Sequence, residues 1–173
     1  MLKLFASVGT AALLAIPGAA FADTSPNDAQ IAHIAYTAGT IDIAAAKQAL
    51  AKSKNKAVRD FAQEMVRDHE AVNDKALALV KKLHVTPAAN PTSTALTAQA
   101  SKKKAELAKL SGAAFDRAYA ANEVAYHKTV NGALHDTLIP SSKNGELKSL
   151  LETGLTLFKE HQGHAEHLSM SLK

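Results

Sequence analysis

Three histidines stand where an apolar residue is expected. His69, His127 and His161 each fall in a separate Ala- and Leu-rich segment whose apolar positions recur every three or four residues. Glu123 precedes His127 by one helical turn on the same face, and Asp42 stands beside the apolar stripe of a fourth such segment. Neutral imidazoles with one or two carboxylates form a donor set for zinc, iron, copper or nickel, whereas calcium and magnesium prefer shells of oxygen alone. Met65, one turn before His69, would add a thioether acceptable to copper; its plainer role is a flexible filler of the core. Asp68, Asp116 and Tyr119, with Tyr36 and Tyr126, could hold the imidazoles from outside. They could equally do so with no metal present, as ordinary buried hydrogen bonds worth about 1 kcal/mol each. A second group closes the chain, where His164 and His167 are neighbours three apart and could clamp an ion at the surface. Histidines near a helix C-terminus are also favoured by the helix dipole alone. His33, His84 and His135 lack matching partners and read as surface residues.

The elements that must position these residues are helices, because no stretch after the leader alternates with period two over β-branched residues. A first helix is expected from a Ser25 cap, with Pro26 at the first helical position, to about Lys52, with Ile31, Ile34, Ala38, Ile41 and Ala45 as its stripe. A second should run from Lys56 to Leu83, buried along Val58, Phe61, Met65, His69, Val72, Ala76, Leu79 and Leu83. Residues 84–99, with Pro87, Asn90-Pro91 and several Thr and Ser, read as a linker, followed by a short polar helix over 100–110. A third long helix should start at Ser111, carry Tyr119, Glu123, His127, Val130 and Leu134, and stop at Pro140. After an Asn144-Gly145 turn, the last helix shows Leu147, Leu150, Gly154, Leu157, His161, His164 and Leu168 at three-four spacing, fraying near the C-terminus. Counted from the helix starts, His69, His127 and His161 lie about 13, 15 and 16 residues in, so at about 1.5 Å per residue all three stand near mid-height. Two tight turns and one long crossover between helices two and three describe an all-α, ferritin-like four-helix bundle.

Residues 1–22 read as a secretory leader: Lys3, an apolar run from Leu4 to Ile16, a Pro17-Gly18 break, and Ala20-Phe21-Ala22 before a cut after Ala22. The exported domain would then span 23–173, in a periplasmic or secreted location, with no integral membrane association after cleavage. The chain has no cysteine, which excludes disulfides, thiolate ligands and a lipid-bearing cysteine. Loss of Lys3 with the leader lowers the net charge from +4 to +3, too small an excess to suggest nucleic acid. Lys102-Lys103-Lys104, the one basic run, reads as a solvated helix face. No nucleophile elbow, phosphate loop or zinc-protease pair appears, so the expectation is a binding protein and not an enzyme.

Phe61-Ala62-Gln63-Glu64-Met65-Val66-Arg67-Asp68-His69, Phe115-Asp116-Arg117-Ala118-Tyr119 with His127, and Leu157 to His161 ahead of Ala165 together resemble an exported bacterial family. It is called domain of unknown function 4142, is ferritin-like, and its members are often labelled outer-membrane or periplasmic proteins. The resemblance runs from about Asp28 to Leu168. It implies that Asp68, His69, Phe115, Asp116, His127 and His161 occupy recurring family positions. An acid followed by isoleucine is also usual on helix one, where Asp42-Ile43 supplies a shorter acid that reaches less far than glutamate. The likeness to di-iron ferritins stops at topology, since Val66 and Phe158 stand where a Glu-x-x-His motif needs carboxylates. "Outer membrane" finds no support in alternating strands or a second long apolar span.

The resulting expectation is a periplasmic helical bundle binding zinc, copper or iron through His69, His127 and His161, with Asp42 or Glu123 completing the shell. The alternatives are a structural or stress-response envelope protein whose histidines only shape the core, and a pH-responsive binding module loosened in acid. A protein partner is not specified by any motif.

Overall fold

The computed structural model describes residues 25–172, and these are all-helical. The leader expected over residues 1–22 lies outside them. The helices are α1 (Asp28–Lys52), α2 (Lys56–Lys82), α3 (Pro91–Ala108), α4 (Gly112–Ala133), a π-helical turn (Leu134–Leu138), α5 (Ile139–Ser141) and α6 (Gly145–Ser171).

Asparagine caps four of the helix starts. Asn27, not Ser25, caps α1: its side chain accepts from the Gln30 backbone while Gln30 reaches back to the Asn27 N–H, a closed capping box that leaves Pro26 outside the helix. Asn55 and Asn144 each accept two backbone N–H groups at the starts of α2 and α6. The fourth cap corrects the linker expected over residues 84–99. Asn90-Pro91 is not a turn but a cap followed by proline at the first helical position, where its missing N–H costs nothing, so α3 begins nine residues sooner than residues 100–110 suggested. At Ser111 the cap position is right but the side chain makes no cap bond, and Gly112 follows with φ 53, a conformation that favours glycine.

Pro140 does not stop the helix that carries His127. The backbone widens into the π turn over Leu134–Leu138, with the Ile139 N–H bonded to the Leu134 carbonyl, and helix resumes through Pro140 to Ser141. A wider turn accommodates the ring and the missing donor that a regular α-turn would not.

Contacts between helix ends establish the path of the chain. Ala88 N–H bonds to Ala29 O, Lys82 pairs with Glu146, and Asp28 accepts from the backbone of Lys143 and Asn144, so the start of α1, the end of α2 and the start of α6 share one end. At the other end Lys52 Nζ donates to Ala108 O and stands 5.7 Å over the Phe115 ring. Helix α3 therefore crosses the length of the molecule along α1, and α2 and α4 run in the same direction. Asp28 ties the α5–α6 turn to α1 through three donors: Ser142 Oγ, Lys143 N and Asn144 N. Since a hydrogen bond to a charged group contributes about 1.5–3 kcal/mol, Asp28→Ala should destabilise the protein by roughly 2 kcal/mol, read as a lower urea midpoint with unchanged slope.

The core has two apolar halves. Val58, Phe61, Met65, Phe115, Tyr119 and Leu168 fill one, and Ile31, Ile34, Leu134, Leu138, Leu151 and Phe158 fill the other. The phase of two helices differs from the expected stripes. On α1 the buried line runs Ala38, Gly39, Asp42, Ala46, Ala49, leaving Ile41 and Ala45 half-buried. On α6 it runs Leu147, Leu151, Gly154, Phe158, His161, Ala165, Leu168, not through Leu150, Leu157 and His164, and the helix continues to Ser171. Both choices satisfy three-four spacing, and packing selected the second. A β-carbon at Gly39 would clash with the side-chain amide of Asn73 on α2, so a larger residue there requires that side chain to shift.

Candidate metal centre

Between the two apolar halves lies one polar layer. His69 from α2, His127 from α4 and His161 from α6 form a triangle with ring centroids 5.7, 5.5 and 5.3 Å apart. Each offers one nitrogen such that the three lie within 4.8 Å of one another. Asp42 from α1 and Glu123 from α4 adjoin them, and with His127 form a second such group. None of the five is more than 3% exposed. Asp42, shorter than the glutamate usual in the resembling family, nevertheless reaches the layer because it lies on the buried line of α1 and not beside it.

Hydrogen-bond partners set which nitrogen faces inward on two of the three rings. His127 Nδ1 lies 3.1 Å from the Glu123 backbone carbonyl. A carbonyl only accepts, so Nδ1 carries the proton and Nε2 keeps its lone pair. His161 Nε2 lies 3.1 Å from Asp68 Oδ2, and Asp68 is itself gripped by Arg67. Arg67, and to a lesser degree His161, hold the Asp68 carboxyl below the usual carboxylate range, so it accepts the Nε2 proton and leaves His161 Nδ1 free. A ring whose far nitrogen donates to a carbonyl or carboxylate is the arrangement of metal-ligating histidines. His69 stacks on Phe158 at 4.6 Å and has no hydrogen bond at either nitrogen.

Seven atoms of the layer lack a hydrogen-bond partner: both nitrogens of His69, Nε2 of His127, Nδ1 of His161, both oxygens of Asp42 and Oε2 of Glu123; single atoms of Gln48, Asp116, Tyr119 and Asn131 are unpaired as well. An unsatisfied buried polar group costs about 1–3 kcal/mol, so this concentration is expensive unless something fills it. Asp42 Oδ2 stands 3.6 Å from His69 Nε2 and 3.5 Å from His127 Nε2, too far for hydrogen bonds. Two atoms each about 2.0–2.1 Å from one zinc ion in tetrahedral directions would stand roughly 3.4 Å apart. The spacing suits donors that share an ion.

Burial sets the charge state of the metal-free layer. Desolvation lowers His69 to about 3 and His127 to about 4, and also lowers His161. It raises Asp42 to about 7 and Glu123 well above the usual range, the latter helped by the Asp42 charge. The stability terms have opposite signs. Below about pH 6.5 the unfolded chain takes up protons at the histidines that the folded state refuses, so stability falls with pH down to about 3 for His69. Folded Asp42 keeps a proton between 3.8 and about 7 that the unfolded chain has lost, so its term is fully present below 3.8 and gone above 7. From pH 6.5 down to about 3.8 the two oppose each other; below that Asp42 and Glu123 are protonated in both states and only histidine terms keep growing. The metal-free protein should therefore lose stability most steeply below about pH 4, and His69→Leu should reduce the slope by about 1.4 kcal/mol per pH unit between about 6 and 3.5. Equal slopes in urea titrations of the two proteins would contradict the buried neutral His69.

Of the supporting residues read from the sequence, Asp68 alone makes a hydrogen bond to the layer. Tyr119 is fully buried with its hydroxyl unpartnered, close enough to Glu123 and Asp42 for their charges to push its pKa up after burial. Asp116 is buried with an unpartnered Oδ1, and Met65 packs in the apolar half with Phe61 and Phe115. His164 turns to Glu64 at 3.1 Å while His167 is exposed, so the two share no ligand group among the described residues. Three residues were not anticipated. Phe158 walls the layer, Glu64 joins Asp68 and His161 in a third ligand group, and Asn131 ties α4 to α6 by donating to Phe158 O. Phe158 was legible as the alternative phase of the α6 stripe; the other two needed the neighbouring helix.

Fold and site together define an all-helical protein with a buried histidine–carboxylate layer. The family model for DUF4142, a domain of unknown function, matches residues 14–168, and the chain belongs to that family. No curated protein and no solved structure matched. No helix of the described residues is long and apolar enough to cross a membrane.

Proposed function

We propose that the chain is an exported, periplasmic protein whose long helices α1, α2, α4 and α6 form a ferritin-like four-helix bundle, and that it binds one transition-metal ion in its polar layer. His127 Nε2, His161 Nδ1, one nitrogen of His69 and Asp42 Oδ2 are the ligands, with Glu123 beside them. The observation that carries the reading is the set of unpaired, buried donor atoms, two of them 3.5 and 3.6 Å from Asp42 Oδ2, with two rings oriented from behind. Three nitrogens and one oxygen suit zinc, and also accept copper or iron. The proposed role is metal binding.

Elemental analysis and calorimetric titration of the chain from Asp23 onward with zinc, copper and iron test this. One tightly held ion per chain is expected, absent when His69, His127 and His161 are all replaced by alanine. Uptake of none of the three metals, or uptake undiminished in the triple variant, would overturn it.

A further inference from the structure

His161 has a second nitrogen, turned away from the polar layer, and it meets another set of donors. Glu64 and Asp68 stand four residues apart on one face of α2, and His161 and His164 stand three apart on one face of α6. Across the seam between these helices, His161 Nε2 lies 3.1 Å from Asp68 Oδ2 and His164 Nδ1 lies 3.1 Å from Glu64 Oε1. Glu64, Asp68 and His161 also offer one ligand atom each within 4.8 Å of one another. Two carboxylates from one helix thus face two imidazoles from its neighbour.

The surroundings of this set differ from those of the inner layer. Glu64 and Asp68 are half-buried and His164 is exposed, so solvent reaches the donors directly, with the buried His161 behind them. Arg67 bonds to Asp68 and keeps it ionised, and a carboxylate has lone pairs enough to accept from Arg67 and still face His161. Two carboxylates against one guanidinium leave the cluster with a net negative charge, which favours a divalent cation. Donors that share one zinc ion at about 2.0–2.1 Å stand roughly 3.4 Å apart, so the two His–carboxylate pairs already hold close to the required spacing.

The protons have somewhere to go. A carboxylate only accepts, so in the metal-free chain each facing ring nitrogen carries a proton that an ion would replace. The His164 proton moves to its Nε2. The His161 proton moves to Nδ1 when the inner layer is empty, and leaves to solvent when an inner ion already holds Nδ1.

We propose that Glu64, Asp68, His161 and His164 form a second transition-metal site, at the seam of α2 and α6, which shares His161 with the inner layer. Mixed imidazole and carboxylate donors suit zinc. Access of water to the donors makes it the weaker of the two sites, filled after the buried one. Because His161 serves both, replacing it removes a donor from each.

Zinc titrated calorimetrically into the untagged chain from Asp23 onward should give a second, weaker binding event after the tight one. Glu64→Gln combined with His164→Ala, neither residue being part of the inner layer, should abolish the weaker event and keep the tight one. Conversely, His69→Ala with His127→Ala should abolish the tight event and keep the weaker, its fold checked by circular dichroism; if that variant does not fold, the Glu64/His164 variant decides. A tight event alone in the unaltered chain, or a weaker event that persists unchanged in the Glu64/His164 variant, would overturn the second site and leave the inner one standing. A single weaker event that the Glu64/His164 variant loses would overturn the inner site and leave this one.

Discussion

Asp42→Asn is expected to weaken metal binding about 100-fold or more, roughly 3 kcal/mol, while leaving the metal-free protein at least as stable as before. Asparagine keeps the shape of the side chain and a weakly ligating oxygen but removes the anion. In the absence of metal that anion is a liability: Asp42 is buried, both its oxygens are unpaired, and desolvation holds its pKa at about 7. In the presence of metal it is the single charged donor within reach of two imidazoles. The same substitution should therefore move binding and metal-free stability in opposite directions, which a merely structural carboxyl would not do. Binding also strips the proton Asp42 holds near neutrality, so the calorimetric heat of metal uptake at pH 6 should vary with the ionisation enthalpy of the buffer, and less so in Asp42→Asn. Unchanged affinity in the variant would remove Asp42 from the ligand set.

The second large effect is thermal. A ligand bound only by the folded state at about 1,000 times its dissociation constant stabilises it by about 4 kcal/mol, and for a chain of this size about 1 kcal/mol raises Tm by roughly 2–4 °C. Saturating zinc should then raise Tm by about 10 °C, reversed by a chelator. The variant carrying His69→Leu, His127→Leu and His161→Leu should show no response to zinc, yet melt higher than the metal-free wild type. Leucine removes four of the unpaired buried ring nitrogens and joins the apolar halves on either side of the layer. A triple variant that melts lower than the metal-free protein would mean that the histidines support the core by themselves, as a structural protein would require.

Much of the fold was legible because it follows from local chemistry. Helix content, the two tight turns and the near mid-height position of the three histidines come from periodicity, caps and a fixed rise per residue. The errors fall where one local pattern has two meanings. Asn90-Pro91 reads as a turn or as a helix start, and only the seating of Asn90 against Gln30 O and Ala88 O distinguishes them. Pro140 reads as a stop unless the preceding turn widens. On α1, the line through Ile41 carries more hydrophobicity than the line through Asp42, so an amphipathic reading chooses Ile41, whereas the packed helix buries Ala38, Gly39 and Asp42.

By itself, then, the amino-acid sequence determined an all-helical chain with three histidines at nearly the same depth, because helical rise and three-four spacing are properties of each segment alone. The tertiary structure decided that the three rings meet, that two of them are turned inward by Glu123 O and by the Arg67-supported Asp68, and that Asp42 lies among them. Those outcomes depend on helix rotation and on hydrogen bonds between residues as far apart as Asp68 and His161, which packing sets and no single helix encodes.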